Sequence, residues 1–214
     1  MSELIPHLIE PEDLVAMLDV DNMVIVDLSH PALYQQRHVP GAVHLAGNTL
    51  MANKPPALGK HPDFKDIERL VSNLGIDDSK HVVIYDDEGG GWAGRLAWTL
   101  DLIGLNNWSY LNGGIVAWIN EGYVTESKIN IPKGCCCEIG STFANPSAVI
   151  HVNEIMARLG SHDFVVWDAR SPAEHTGAMV RAARGGHIPG AINLEWTELI
   201  DRENNLRIRG NAQA

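Results

Sequence analysis

Short apolar runs alternate with segments whose apolar residues return at helical spacing, and this alternation governs the first 120 positions. Met23 to Val26 and His81 to Tyr85 are continuous stretches of strand length, of the kind buried on both faces of a parallel sheet. Ser109-Tyr110-Leu111 is a shorter one. Glu10-Pro11-Glu12-Asp13, followed by Leu14, Val15, Met17 and Leu18, predicts a helix start with Pro and acids in its first turn. Asp66 to Leu74 predicts an amphipathic helix stopped by Gly75, and Trp92 to Ile103 a helix closed by Gly104. Ile115 to Asn120 predicts a helical segment after the turn Asn112-Gly113-Gly114. Strands alternating with helices predict an α/β domain built on a largely parallel sheet.

The pattern then repeats. His38-Val39-Pro40-Gly41-Ala42 returns as His187-Ile188-Pro189-Gly190-Ala191, each preceded by an apolar run ending in Asp27 or Asp168. Pro fixes φ and bars a helix at the residue before it, while Gly opens a conformation closed to other residues. The pentapeptide therefore predicts a rigid corner leading into a strand. At an offset of 141, Ile9, Leu14, Ala16, Leu18, Asp27 and Pro31 meet Ile150, Ile155, Ala157, Leu159, Asp168 and Pro172. An insertion near Gly177 to Arg184 shifts the offset to 149 at His187. These matches predict an internal duplication. The intervening Val124 to Pro146, with Lys133-Gly134, three cysteines and Asn145-Pro146, reads as an exposed linker. The expected division is 8–125, a linker over 126–148, and 149–214 as the first half of a second unit. The counterpart of Asp86 falls near position 235, past Ala214, so the second unit is expected to be incomplete.

Hydrophobic residues at 45% and charged residues at 20% describe an ordinary globular chain. A formal net charge of −11 argues against nucleic acid and anionic membrane as partners, though not against a small anion at a local site. Met1 to Pro6 shows neither a basic nor an apolar leader region, and no apolar run is long enough to span a bilayer, so the cytoplasm is the expected location. Cys135, Cys136 and Cys137 are adjacent and poorly placed to pair with one another. They fit no zinc spacing and lack a His or Arg neighbour to lower a thiol pKa; no metal or cofactor is expected.

Candidate chemistry concentrates where strands end and helices begin. Asp86-Asp87-Glu88-Gly89-Gly90-Gly91 can present successive amides to an anion, unless Asp86 fills the cradle with its own carboxylate. A formal match to G-x-G-x-x-G over Gly89 to Gly94 is set against three acids that would repel a pyrophosphate. His38 and His187 recur in both copies, which suits a structural hydrogen bond better than catalysis. Arg170, Arg181 and Arg184 crowd the second corner; an anion site near Arg184 and a merely solvated face are equally open. Trp196 lines a pocket or simply packs. A cysteine phosphatase would need Cys-x5-Arg, a spacing that does not occur.

Tyr34-x-x-x-His38-Val39-Pro40-Gly41-Ala42-x-x-Leu45 resembles the amino-terminal signature of the rhodanese family, specifically the two-domain thiosulfate sulfurtransferases. Asp168-Ala169-Arg170-Ser171-Pro172 with Gly186 to Asn193 resembles the same element in the second domain. Tyr85 to Arg95 and Tyr110 to Gly114 are similar to the non-catalytic first domain of the single-cysteine bacterial members. The resemblance implies tandem rhodanese-like domains, each a mainly parallel sheet flanked by helices. It implies a cysteine in the second domain that takes sulfane sulfur from thiosulfate as a persulfide and passes it to cyanide, another thiophile or a protein acceptor. Asp86 then occupies the equivalent position in the first domain, Arg184 and Trp196 are substrate-binding candidates, and no catalytic residue lies in the chain itself. The competing expectation is an inert rhodanese-like module that binds an anion or a protein and transfers nothing.

Overall fold

The computed structural model describes residues 5–18, 20–135 and 140–210. The chain divides into two compact units, one running to Ala148 and including Arg202–Arg207, the other formed by Val149–Asp201 and the residues from Ile208. In the first unit, β1 (Leu8–Ile9), β2 (Met23–Asp27), β3 (Val43–His44), β4 (His81–Tyr85) and β5 (Trp108–Leu111) form one sheet in the order β1-β5-β4-β2-β3. Every pairing is parallel. α1 (Pro11–Met17), α2 (Pro31–Gln36), α3 (Phe64–Leu74), α4 (Gly91–Leu102) and α5 (Gly114–Asn120) join the strands. The central strand β4 is buried at all five residues, as its unbroken apolar run requires. One hydrophobic cluster, around Val26, Ile67, Val71, Ile84, Leu96 and Leu100, packs α3 and α4 on one side. The other, around Ile9, Leu14, Ile25, Val83, Ile115 and Trp118, packs α1 and α5.

The second unit repeats the opening of the first, element for element. α6 (Val152–Arg158), β6 (Trp167–Asp168), α7 (Pro172–Thr176) and β7 (Ile192–Asn193) correspond to α1, β2, α2 and β3. Register is preserved: Val26 pairs with Val43 and Asp27 with His44, as Trp167 pairs with Ile192 and Asp168 with Asn193. The corners share their turn hydrogen bond. Ala42 N–H donates to Val39 at 3.0 Å and Ala191 N–H to Ile188 at 2.9 Å. Gly41 and Gly190 both sit at φ 79°, where a side chain is strained. Even the capping boxes agree, Glu10 with Asp13 and His151 with Glu154. Among the described residues no helix is long and apolar enough to cross a membrane.

The segment expected as an exposed linker is mostly exposed and has no buried residue among those described, yet parts of it also close the first unit. Helices end with unpaired carbonyls, and this segment supplies donors to two of them. Cys135 N–H reaches the Ser72 carbonyl at the end of α3 at 2.9 Å, and Asn145 N–H reaches the Leu102 carbonyl ending α4 at 3.1 Å. Phe143 packs on the core, edge-on to Phe64. Glu126 bridges to His38 and its carboxylate accepts the Gly41 N–H at 2.6 Å, tying the segment to the first corner. Arg202–Arg207 is also held by the first unit. Arg207, largely buried, donates from Nε to Glu10 at 2.9 Å and from its terminal nitrogen to Glu121.

Candidate functional site

The loop after β4 is shaped by one carboxylate. Asp86 is fully buried. Its Oδ1 accepts the N–H groups of Glu88 at 3.1 Å and Gly90 at 2.8 Å, and its Oδ2 those of Trp92 at 2.9 Å and Ala93 at 3.0 Å. Amides at the start of α4 would otherwise lack partners, so the chain fills its own anion cradle. The neighbouring turn is fitted to the same residue. Ile115 N–H donates to the Asp86 carbonyl at 3.1 Å, and Gly114, at φ 56°, lies so close that any Cβ would collide with that carbonyl. The electrostatics follow: burial, then the charges of Asp86 and Asp87, raise the Glu88 carboxyl above its ordinary range. Burial and the Asp86 charge likewise push the Tyr110 phenol well up.

Beneath this loop lies a second buried carboxylate. Asp27 accepts the Ser29 N–H at 2.7 Å and the Tyr85 hydroxyl at 2.6 Å. Tyr85 accepts in turn from Val39 N–H at 3.1 Å, joining the strand end to the corner. Burial raises Asp27 above the usual carboxylate range, and these hydrogen bonds oppose the shift.

In the second unit the equivalent carboxylate is held differently. Asp168 accepts the Arg170 guanidinium at 2.8 and 2.6 Å and His175 Nδ1 at 3.0 Å. The Arg170 hydrogen bonds hold it well below the usual range. Both corner histidines donate from Nδ1 to a carbonyl, His38 to Tyr34 at 2.6 Å and His187 to His175 at 2.7 Å. Each stacks on the ring four residues before the corner in the first unit and twelve before it in the second, at 4.0 and 3.6 Å. The structural reading of these histidines is the one the hydrogen bonds describe.

A cleft of about 460 Å³ opens beside this corner, lined by Trp167, Asp168, Arg170, Arg184, His187 and Ile188 among others. Arg170 is committed to Asp168 and Arg181 to Glu174, at 3.3 Å. Among the described residues Arg184 alone of the three arginines has no ion-pair partner. Trp196 does not line this cleft; it opens the 3-10 turn Trp196–Leu199, half-buried. Its counterpart by the repeat is Gly47, which opens the turn Gly47–Leu50 and lies against the Trp92 ring at the start of α4. Cys135 is half-buried, 3.6 Å from the Ile76 carbonyl, while Cys136 and Cys137 lie outside the described residues. Sequence reasoning passed over His175, although the offset of 141 sets it opposite Tyr34.

A tandem parallel α/β architecture with one corner built twice defines the class. The pattern of the rhodanese-like domain matches residues 10–121 and 151–213, and the chain belongs to that family. It is 42% identical over 205 residues to the thiosulfate sulfurtransferase of Azotobacter vinelandii, spanning 96% of this chain and 74% of the relative. The 3-mercaptopyruvate sulfurtransferase of Escherichia coli K12 is 32% identical over 179 residues, or 81% of this chain and 62% of the relative. The crystal structure of an Escherichia coli 3-mercaptopyruvate sulfotransferase superposes with a TM-score of 0.83 at 26% identity, covering 96% of this chain and 80% of that one. The anaerobic ergothioneine biosynthesis enzyme of Chlorobium limicola shares the fold, with a TM-score of 0.80 at 22% identity over 95% of this chain and 55% of that one.

Proposed function

We propose that the chain belongs to a sulfurtransferase that moves sulfane sulfur from thiosulfate to cyanide or another thiophile, through a cysteine at the second-unit counterpart of Asp86. The carrying observation is the Asp86 cradle: four amides converge on an anion at that position of the fold. A thiolate in the matching loop would be stabilised by the same donors, both before and after it carries sulfur. It attacks the outer sulfur of thiosulfate; the S–S bond breaks and sulfite leaves with the electron pair. Cyanide then attacks the terminal sulfur of the persulfide, forming thiocyanate and returning the thiolate, with no net redox change in the protein. Arg184, unpaired beside the second corner, meets the sulfonate end of the donor. Trp196, the repeat counterpart of Gly47, covers the site in the second unit as Gly47 lies against Trp92 in the first. The relative named for thiosulfate is 42% identical and the one named for 3-mercaptopyruvate 32%, which favours thiosulfate as donor.

The linker thiols take no part in this scheme. A thiosulfate:cyanide assay of the 214-residue chain, with intact mass after thiosulfate treatment, should show neither turnover nor an added sulfur. Turnover with sulfur on Cys135, Cys136 or Cys137 refutes the assignment. The second reading, a module that transfers nothing, draws on Asp86 itself, which leaves the first unit's cradle no room for a substrate anion; it is favoured if the gene encodes no cysteine near position 235.

A further inference from the structure

A buried histidine at the foot of the central strand has more hydrogen-bond acceptors around it than its neutral ring can serve. His81 opens β4 and is 6% exposed. Its Nδ1 lies 2.7 Å from Asn107 Oδ1 and its Nε2 lies 2.8 Å from Ser109 Oγ. Each of these oxygens is fixed in its role by a second bond. Asn107 Nδ2 donates to the Lys80 carbonyl at 2.9 Å, so Oδ1 is the atom turned to the imidazole, and a carbonyl oxygen only accepts. The Ser109 hydroxyl gives its single proton to the Pro6 carbonyl, so toward His81 it also only accepts. Both ring nitrogens must then donate, which only the imidazolium does. Burial works against that charge and, with the charge of His7, pulls His81 below the ordinary histidine range, while the Asn107 bond opposes the shift. A neutral ring cannot keep all four bonds.

Which bond yields follows from the neighbours. A ring protonated at Nε2 keeps Ser109 and Pro6 but sets Nδ1 against Asn107 Oδ1, acceptor to acceptor. Turning the Asn107 amide only moves the clash to the Lys80 carbonyl. A ring protonated at Nδ1 keeps Asn107 and takes the Ser109 proton at Nε2, which frees the carbonyl of Pro6, an exposed residue that water can reach. Pro6 leads directly into β1, and the carbonyls of His7 and Ile9 accept the Tyr110 and Asn112 N–H groups at 2.7 and 2.9 Å.

We propose that His81 is a proton switch for the edge strand: as a cation it leaves the Ser109 hydroxyl on Pro6 and holds β1 to β5, and as a neutral ring it withdraws that hydroxyl and loosens β1. The titratable groups on the segments around it are His7, whose Nδ1 meets the Trp108 carbonyl, Asp77, Asp78 and Lys80 in the turn before β4, and Asp21 before β2. Among the described residues only His7 sets a charge against it. The inference is independent of sulfur transfer.

The test follows the Tyr110 and Asn112 amides of the whole chain by NMR-detected hydrogen exchange between about pH 4.5 and 7.5, as protection factors corrected for the intrinsic rate. Protection should rise about two- to ten-fold toward acid, the contribution of one hydrogen bond, and the amides of β2 should not share the rise. Its midpoint should fall on the titration of the His81 ring and not on that of His7. His81→Gln and Ser109→Ala should each flatten the profile, and His7→Asn should keep it. A flat wild-type profile refutes the switch, as does a rise that survives His81→Gln or Ser109→Ala, or one that is lost in His7→Asn. Should a variant fail to fold, the position of the wild-type midpoint decides by itself.

Discussion

Replacing Asp86 with Ala removes the acceptor from four N–H groups held at 2.8–3.1 Å. A hydrogen bond to a charged group contributes about 1.5–3 kcal/mol, and a buried donor left unpaired costs about 1–3 kcal/mol. The Ala93 amide is buried, whereas those of Glu88, Gly90 and Trp92 are partly exposed and can be rehydrated. The net loss should then be about 3–5 kcal/mol, in the upper range for a single substitution. The vacated cradle should take up an oxyanion; sulfate at one hundred times its Kd would return about 2.7 kcal/mol. Urea unfolding of the first unit, followed by tryptophan fluorescence with sodium sulfate or sodium chloride at matched ionic strength, reads both effects. Sulfate stabilises most proteins by exclusion from their surface, so the variant must gain more than the wild type does. Asp86→Asn keeps one acceptor oxygen and should fall between. A loss below about 1 kcal/mol, or an equal sulfate gain in variant and wild type, would show that the cradle does not hold the loop.

Arg207→Gln should cost about 1–2 kcal/mol near pH 7, since it removes charge-assisted bonds to Glu10 and Glu121 at a largely buried guanidinium. Arg207 lowers the Glu121 pKa, so this stability is present above the unfolded value of about 4.3 and is lost as pH falls through the depressed folded one. Denaturation midpoints of the two proteins should therefore converge below about pH 4. Tyr85→Phe removes the donor to Asp27 Oδ2, leaving Asp27 the Ser29 N–H, and takes the acceptor from the Val39 N–H; it should cost about 2–4 kcal/mol. Asp27 has a raised folded pKa, so its contribution is full at acid pH and declines as pH rises through that value; the Tyr85→Phe penalty should be smaller at pH 3.5 than at pH 7, and a pH-independent penalty would contradict the assignment. In the isolated chain, backbone amides of β6 and β7 should exchange much faster than those of β2 and β4, which lie in a fully covered sheet; equal protection would contradict the exposure of the second unit.

Elements with a strong local pattern were legible before any coordinates. β4 is four apolar residues in a row after His81, the boundaries of α3 and α4 fall within two residues of the expected ones, and the corner is written in Pro and Gly. The duplication was legible because spacing survives where residue identity drifts: Tyr34 has become His175, yet both rings stack on a corner histidine. Two-residue β1 carries no periodicity and exists only through its pairing with β5. The role of 126–148 was hidden for a related reason. Its polar composition looks like a tether, but its backbone donors answer helix ends more than fifty residues away in sequence at Ser72 and about forty away at Leu102. Arg207 gave no signal either, because its acidic partners Glu10 and Glu121 are brought together only by the fold. At the candidate site the acids of 86–88 were visible, while the commitment of Asp86 to four amides needed geometry.

The carboxylate inside the first unit's loop also has an evolutionary side. Any mutation that empties the pocket for a ligand first removes the internal brace that orders the amides around it. A return to binding must therefore pass through a less stable intermediate, unless a compensating change elsewhere comes before it. The first copy is in this sense ratcheted into a scaffolding role.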